Sequence, residues 1–189
     1  MTDQPISSCL TVERASTTLA LVTTFALRTL TLRPGQEERH ELDVDLEPFH
    51  LGGAEYRVAT PARAELIVQR AVSGDVFRLR LGTTVAGPCM RCLGPAELPV
   101  EIDARDYEAE AGEASAELHT EYVRDGELDL SAWARDQIAF ALPDQITCRP
   151  DCAGLCPACG KDLNVEPHVH EVLTTDPRWA ALEALRQEP

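Results

Sequence analysis

Apolar and polar residues alternate through most of the first half of this chain, and that period restricts the fold more than any other feature. In "HELDVDL", Leu42, Val44 and Leu46 fall on one side and Glu41, Asp43 and Asp45 on the other. "ARAELIVQRAV" sets Ala64, Leu66 and Val68 on one face. "VFRLRLGTTV" does the same with Phe77, Leu79 and Leu81, and "ELPVEIDAR" with Leu98, Val100, Ile102 and Ala104. Each strand so written has one face for a core and one for water, which predicts an antiparallel sheet covered on one side. "SGD" (Ser73 to Asp75) reads as a hairpin turn. "FALRTLTL" (Phe25 to Leu32) reads as a strand closed by Arg33-Pro34-Gly35, and "HLGGAEY" as a flexible turn.

The period changes after the strands. In "DLSAWARDQIAFALP", Leu130, Trp133, Ala134, Ile138, Ala141 and Leu142 recur at helical spacing, with Asp129 or Ser131 as N-cap and Pro143 as terminator. "DPRWAALEALRQ" predicts a short C-terminal helix, with Asp176 as cap, Pro177 in the first helical position and Trp179, Leu182 and Leu185 as its stripe. The expected architecture is α+β: an antiparallel, partly barrel-like sheet, then a helix, a zinc-stapled loop and the short C-terminal helix. Residues 1–20 read as a loosely ordered lead-in, 21–110 as the β domain, and 111–189 as acidic segment, helix, zinc-binding loop and last helix.

Composition narrows the function classes. Of 189 residues, 44% are apolar and 5% aromatic, which suits a globular protein. With 32 acidic and 17 basic residues the formal charge is −15, so bulk attraction to a phosphate backbone is disfavoured and a basic protein is the easier partner. Eleven acids and two arginines fall between Glu101 and Asp129, a solvated stretch or a docking surface. No membrane span is expected: the apolar run Ala15 to Leu27 is short, rich in hydroxyls and lacks a basic lead. The cysteines of a chain that is not secreted stay reduced, so metal or redox chemistry outranks disulfides.

"CRPDCAGLCPACGKDLN" (148–164) holds four cysteines in the spacing C-x3-C-x3-C-x2-C. In "CPACGK" a C-x2-C turn lets two thiolates meet one ion, and Gly160 permits the positive φ that turns amides toward sulfur. Structural zinc takes four ligands, so Cys156 and Cys159 need partners. The nearest are Cys148 and Cys152, and one structural zinc on these four is the leading expectation. The alternatives are Cys89 and Cys92 of "CMRCLG", or His168 and His170 of "HVH", with mixed sets allowed. Cys9 stands alone. His40, His50 and His119 read as surface residues. A dithiol redox role would want a helix N-terminus beside the thiols, and both pairs read as loops. A catalytic zinc needs an open position and a base, and no motif supplying them occurs. Neither a small-molecule substrate nor a catalytic residue is expected.

The order of these motifs resembles the YceD-like family of large-ribosomal-RNA accumulation proteins, from about Phe25 to the end. "LRPG", "CMRCLGP", "GELDLSAWARDQIAFALP", "CRPDCAGLCPACGKDLN" and "DPRWAALEAL" carry the resemblance. It implies a cytoplasmic bacterial protein needed for normal levels of the 23S ribosomal RNA, with no established enzymatic activity. Many relatives carry C-x-C where this chain has His168-Val169-His170, which puts the two histidines at ligand-like positions. Some relatives keep C-x-R-C without the later cysteines, which argues against an obligate partnership of Cys89 and Cys92 with Cys156 and Cys159. The expected function is a non-enzymatic factor in large-subunit biogenesis. The acidic stretch would hold a basic ribosomal protein, or Arg91 in "CMRC" would touch precursor ribosomal RNA, and charge favours the former. A zinc-dependent RNA-processing enzyme and a dithiol redox protein are the remaining alternatives.

Overall fold

The computed structural model describes residues 21–110 and 118–170. The alternating segments form strands with the predicted faces, except at Asp43, expected to face water but buried, with the Arg63 guanidinium 3.6 Å from its carboxylate. In chain order these are β1 (Leu21–Val22), β2 (Thr24–Ala26), β3 (Glu37–Val44), β4 (Phe49–Leu51), β5 (Ala54–Val58), β6 (Ala62–Arg70), β7 (Gly74–Pro88), β8 (Pro95–Ala109), β9 (Val123–Arg124) and β10 (Glu127–Asp129), followed by helix α1 (Leu130–Ala141).

Strand β7 organises the larger sheet. Its first half pairs with β6, Val85 and Ala86 pair with Val58 and Arg57 of β5, and its whole length pairs with β8. Register places Leu66, Leu79 and Ala104 in one row across the inner face, and Ala64, Leu81 and Ile102 in the next. All six are buried. The outer face carries Glu65, Arg80 and Asp103 in the matching row, as period two requires. The sheet is open: it runs β1-β3-β6-β7-β5-β4, with β8 on the other side of β7, and does not close into the partly barrel-like form expected. A second sheet of three short strands, β2-β10-β9, lies beside it.

Two local expectations change. "FALRTLTL" is a strand only through Ala26. The Leu27 amide then donates to the Gly126 carbonyl, and Leu30 N–H to Leu27 O closes a 3-10 turn over Leu27–Thr29. "HLGGAEY" is not merely a turn but the β4–β5 hairpin. Gly52 and Gly53 both have positive φ, +59° and +81°, as a two-residue type I′ connection demands.

Helix α1 covers the inner face, packing on β8 through buried Leu130, Trp133, Ala134 and Ile138. The Asp129 carboxylate accepts from the Ala132 amide and is the N-cap, while the Ser131 hydroxyl donates to the Asp45 carbonyl. Strand β10 and α1 follow the acidic segment, yet Leu128 and Trp133 join the same core as the strands of 21–110. Among the described residues no helix is long and apolar enough to cross a membrane. The lead-in 1–20, Cys9 and the C-terminal helix lie outside the described residues.

Candidate metal centres

The β7–β8 connection spans only residues 89–94, so Cys89 and Cys92 sit at the tip between two paired antiparallel strands. The Cys89 amide donates to the Gly94 carbonyl at 2.6 Å, and the Leu93 amide donates back to the Cys89 carbonyl at 2.9 Å. Leu93 takes φ = +62°, unusual for a side chain with a Cβ. The second C-x2-C repeats this wiring. The Cys156 amide donates to the Lys161 carbonyl, the Gly160 amide donates to the Cys156 carbonyl, both at 2.8 Å, and Gly160 takes φ = +74°. The two segments are therefore the same backbone knuckle built twice, with the left-handed residue directly after the second cysteine.

After α1 the chain returns to the hairpin tip. The Met90 amide donates to the Ile146 carbonyl at 2.8 Å, and Ile146 is buried. This anchor brings Cys148 and Cys152 against the first knuckle. The Cys89 and Cys152 sulfurs lie 3.8 Å apart, and those of Cys92 and Cys148 3.7 Å apart. The chain then crosses the tip: Leu155 N–H donates to Arg91 O at 3.0 Å, and Gly154, with φ = +77°, lies so near that a Cβ would meet the Arg91 carbonyl oxygen at 3.1 Å. The second knuckle follows, and the Cys159 sulfur lies 3.1 Å from His168 Nε2.

Two clusters could thus hold a metal ion: Cys89, Cys92, Cys148 and Cys152, and separately Cys156, Cys159, His168 and His170. In each, the ligand atoms all lie within 4.8 Å of one another. The set Cys148, Cys152, Cys156 and Cys159 is divided between them. The reason is tertiary: the Ile146 and Leu155 hydrogen bonds fix the 148–155 segment on the hairpin tip, and the second knuckle is formed only beyond that crossing.

The electrostatics of the clusters favour a cation. Burial pushes the Cys89 thiol up, but the amides of Cys92, Arg91 and Cys148 pointing at its sulfur bring it down to about 6. Cys148 is pushed up to about 12 by burial and by the thiols of Cys152, Cys92 and Cys89. Cys89 therefore ionises readily while Cys148 resists, because negative sulfurs crowd one space poorly without a positive charge among them. In the second cluster the Cys159 amide leads in lowering Cys156 to about 6, against burial, with help from Ala158 and His168. The Glu166 carbonyl, then Cys156, raises His168. Asn164 braces the first cluster from outside: its Nδ2 lies 3.5 Å from the Cys152 sulfur, and its Oδ1 accepts from Ala153 N–H and Arg149. Neither Asn164 nor Leu93 was singled out in the sequence. The C-x2-C spacing before Leu93 was the available signal for the latter.

The acidic stretch is less free than its composition suggests. Asp103 is clasped by Arg78, whose Nε donates at 2.6 Å, and lies near Arg80. Glu127 pairs with Arg28 and Glu110 with Arg70. Asp106 accepts from the Thr120 hydroxyl, and Glu108 from the Thr120 amide, with His119 Nδ1 2.9 Å from the Glu108 carboxylate. His119 thus has a partner, unlike the solitary surface residue expected. Glu113 and Glu117 lie outside the described residues. Acid concentrates instead in two adjoining grooves around the first turns of α1. Asp45, Glu47, Glu121, Glu127, Asp129 and Asp136 line them, with Arg124 and Arg135 the basic residues.

The family model described as "Large ribosomal RNA subunit accumulation protein YceD" matches residues 77–186, which include both C-x2-C knuckles, α1 and both histidines. Uncharacterized proteins of Mycobacterium tuberculosis and Mycobacterium bovis are each 36% identical over 123 residues, 62% of this chain and 58% of theirs. One of Mycobacterium leprae is 36% identical over 131 residues, 65% of this chain and 58% of its own length. The chain thus spans somewhat over half the length of the curated relatives it matches. No solved structure matches it significantly. The chain belongs to the YceD family of large ribosomal RNA subunit accumulation proteins.

Proposed function

We propose that this protein is a non-enzymatic, cytoplasmic factor that supports accumulation of the 23S ribosomal RNA by holding a basic large-subunit ribosomal protein. The family description supplies the connection to large-subunit RNA. The observation that carries the choice of client is the pair of acidic grooves flanking α1, six carboxylates against two guanidinium groups. Asp129 is committed to its cap, Glu127 to Arg28 and Asp136 to the Tyr122 hydroxyl, which leaves Asp45, Glu47 and Glu121, all exposed, as the carboxylates available to a client. A lysine-rich or arginine-rich segment laid along that surface would be steered to it over a Debye length of about 8 Å at physiological salt.

The clusters support a structural role for the metal. Each offers four protein ligands, and a closed tetrahedral site leaves no position for a catalytic water. Direct contact with precursor RNA draws on a different surface, the outer-face groove lined by Arg39, Arg78, Arg80 and Arg105 around Ile67 and Val76. Three of those arginines already face Glu37, Glu65 or Asp103, so the acidic grooves are the better-supported binding surface.

The test is capture of basic large-subunit proteins by the parent and by the triple variant Asp45→Asn, Glu47→Gln, Glu121→Gln. The variant is expected to fold normally, since isolated exposed charges contribute little to stability. It should lose capture most strongly at low salt, and a strain carrying it should show a lowered 23S to 16S ratio. Capture that is unchanged in the variant but abolished by RNase would move the function to the arginine face.

A further inference from the structure

We infer that one chain binds two zinc ions of unlike character: a core-anchored, slowly exchanging ion on Cys89, Cys92, Cys148 and Cys152, and a more exposed, readily exchanged ion on Cys156, Cys159, His168 and His170. The inference goes beyond the client-binding role and does not depend on it.

Geometry carries the first centre. Tetrahedral zinc with bonds of about 2.3 Å to sulfur sets neighbouring sulfurs about 3.8 Å apart. The Cys89–Cys152 and Cys92–Cys148 separations, 3.8 and 3.7 Å, match that edge. A disulfide would need about 2.05 Å, so the sulfurs are spaced for a shared ion rather than for one another. Cys89 and Cys152 are fully buried and belong to the hydrophobic core. An ion there would join residues more than fifty positions apart in sequence and fix the return of the chain after α1 to the hairpin tip.

The second centre rests on an independent set of observations. Its knuckle has the hydrogen bonds of the first, formed by a different sequence. His168 Nδ1 lies 2.7 Å from the Glu166 carbonyl oxygen, so the ring donates there, and Nε2, facing Cys159, is the nitrogen left to bind an ion. A histidine held through one nitrogen by a carbonyl is the usual second-shell arrangement around zinc. A tetrahedral sulfur–nitrogen edge is about 3.6 Å, so the 3.1 Å Cys159–His168 pair opens only slightly to admit the ion. His170 stacks edge-on to His168 with ring centroids 4.9 Å apart, within reach of the fourth position. Here Cys159 and His170 are exposed, and all four ligands come from one short segment. Solvent and competing ligands reach this ion from several sides, whereas the first is open only on the side of Cys148 and Cys92, its Cys89 and Cys152 side being closed by the core.

The experiment is elemental analysis of the full-length reduced chain, purified with zinc, together with release of zinc to a chromogenic chelator. Two zinc ions per chain are expected. One should leave rapidly and the other only after thiol modification with a mercurial. The variant His168→Ala, His170→Ala should keep one slow ion and lose the fast one. Cys152→Ser endangers the core, so Cys92→Ser, at a half-buried position, serves for the first centre and should remove the slow phase. One ion or none per chain in the parent, an unchanged fast phase in the double-histidine variant, or a single phase for both ions would overturn the inference.

Discussion

Leu93 and Gly160 occupy the same place in two knuckles, and only one of them is a glycine. A left-handed backbone costs a side-chain-bearing residue about 1–2 kcal/mol, and Leu93, two-thirds exposed, recovers little of it by packing. Leu93→Gly is therefore expected to be neutral or to stabilise by up to about 1 kcal/mol once the greater freedom of glycine in the unfolded chain is counted. Gly160→Ala should cost about 1 kcal/mol and quicken zinc loss from the second knuckle. Urea midpoints of the two variants against the parent measure both effects. A second residue-scale prediction concerns Tyr122. Burial, then its hydrogen bond to Asp136, pushes its phenol up to about 12. A pKa raised on folding gives stability that is whole below the unfolded value near 10 and is lost as pH rises through about 12. Thermal melts of the parent should fall over that alkaline window, and those of Tyr122→Phe should fall less.

The strands and α1 were legible because each buries one face, and burial writes a period into the sequence. Phe77, Leu79 and Leu81 needed no partner to be read as inward, and the structure buries all three. What period cannot state is which strand lies beside which, or where one stops. The end of the strand at Ala26 depends on a hydrogen bond to Gly126, a hundred residues away. Asp103 of β8 and Glu110 just beyond it read as free charge because their partners Arg78, Arg80 and Arg70 stand on other strands. The pairing of β5 with the far end of β7 is equally invisible, yet it sets a tight constraint. A Cβ on Gly87 would fall 2.2 Å from the Tyr56 ring, and Tyr56 is buried with its hydroxyl donating to Pro88 O. Gly87→Ala should thus cost about 1–3 kcal/mol, as overpacking does, whereas Gly82→Ala on the open outer face should cost less than about 1 kcal/mol. Denaturant titration of the pair separates steric exclusion from the general effect of losing glycine in a strand.

At the scale of the molecule, the six cysteines of 89–159 and the two histidines were all recognisable as ligands, but their grouping was not. Spacing along the chain favours Cys148 and Cys152 as partners of Cys156 and Cys159. Folding instead returns the first pair to the hairpin tip and leaves the second to the histidines. The division lives in the Ile146 and Leu155 backbone contacts, which no motif encodes. The sheet and α1 have their own core, so stripping metal is expected to leave their circular dichroism largely intact while residues 146–170 become sensitive to protease. The most direct test of the two-centre account is zinc K-edge X-ray absorption on the metal-loaded chain. One all-sulfur centre and one Cys2His2 centre predict a mean shell of three sulfurs and one nitrogen per zinc. A shell of four sulfurs with no nitrogen, as a single site on Cys148, Cys152, Cys156 and Cys159 would give, would contradict it.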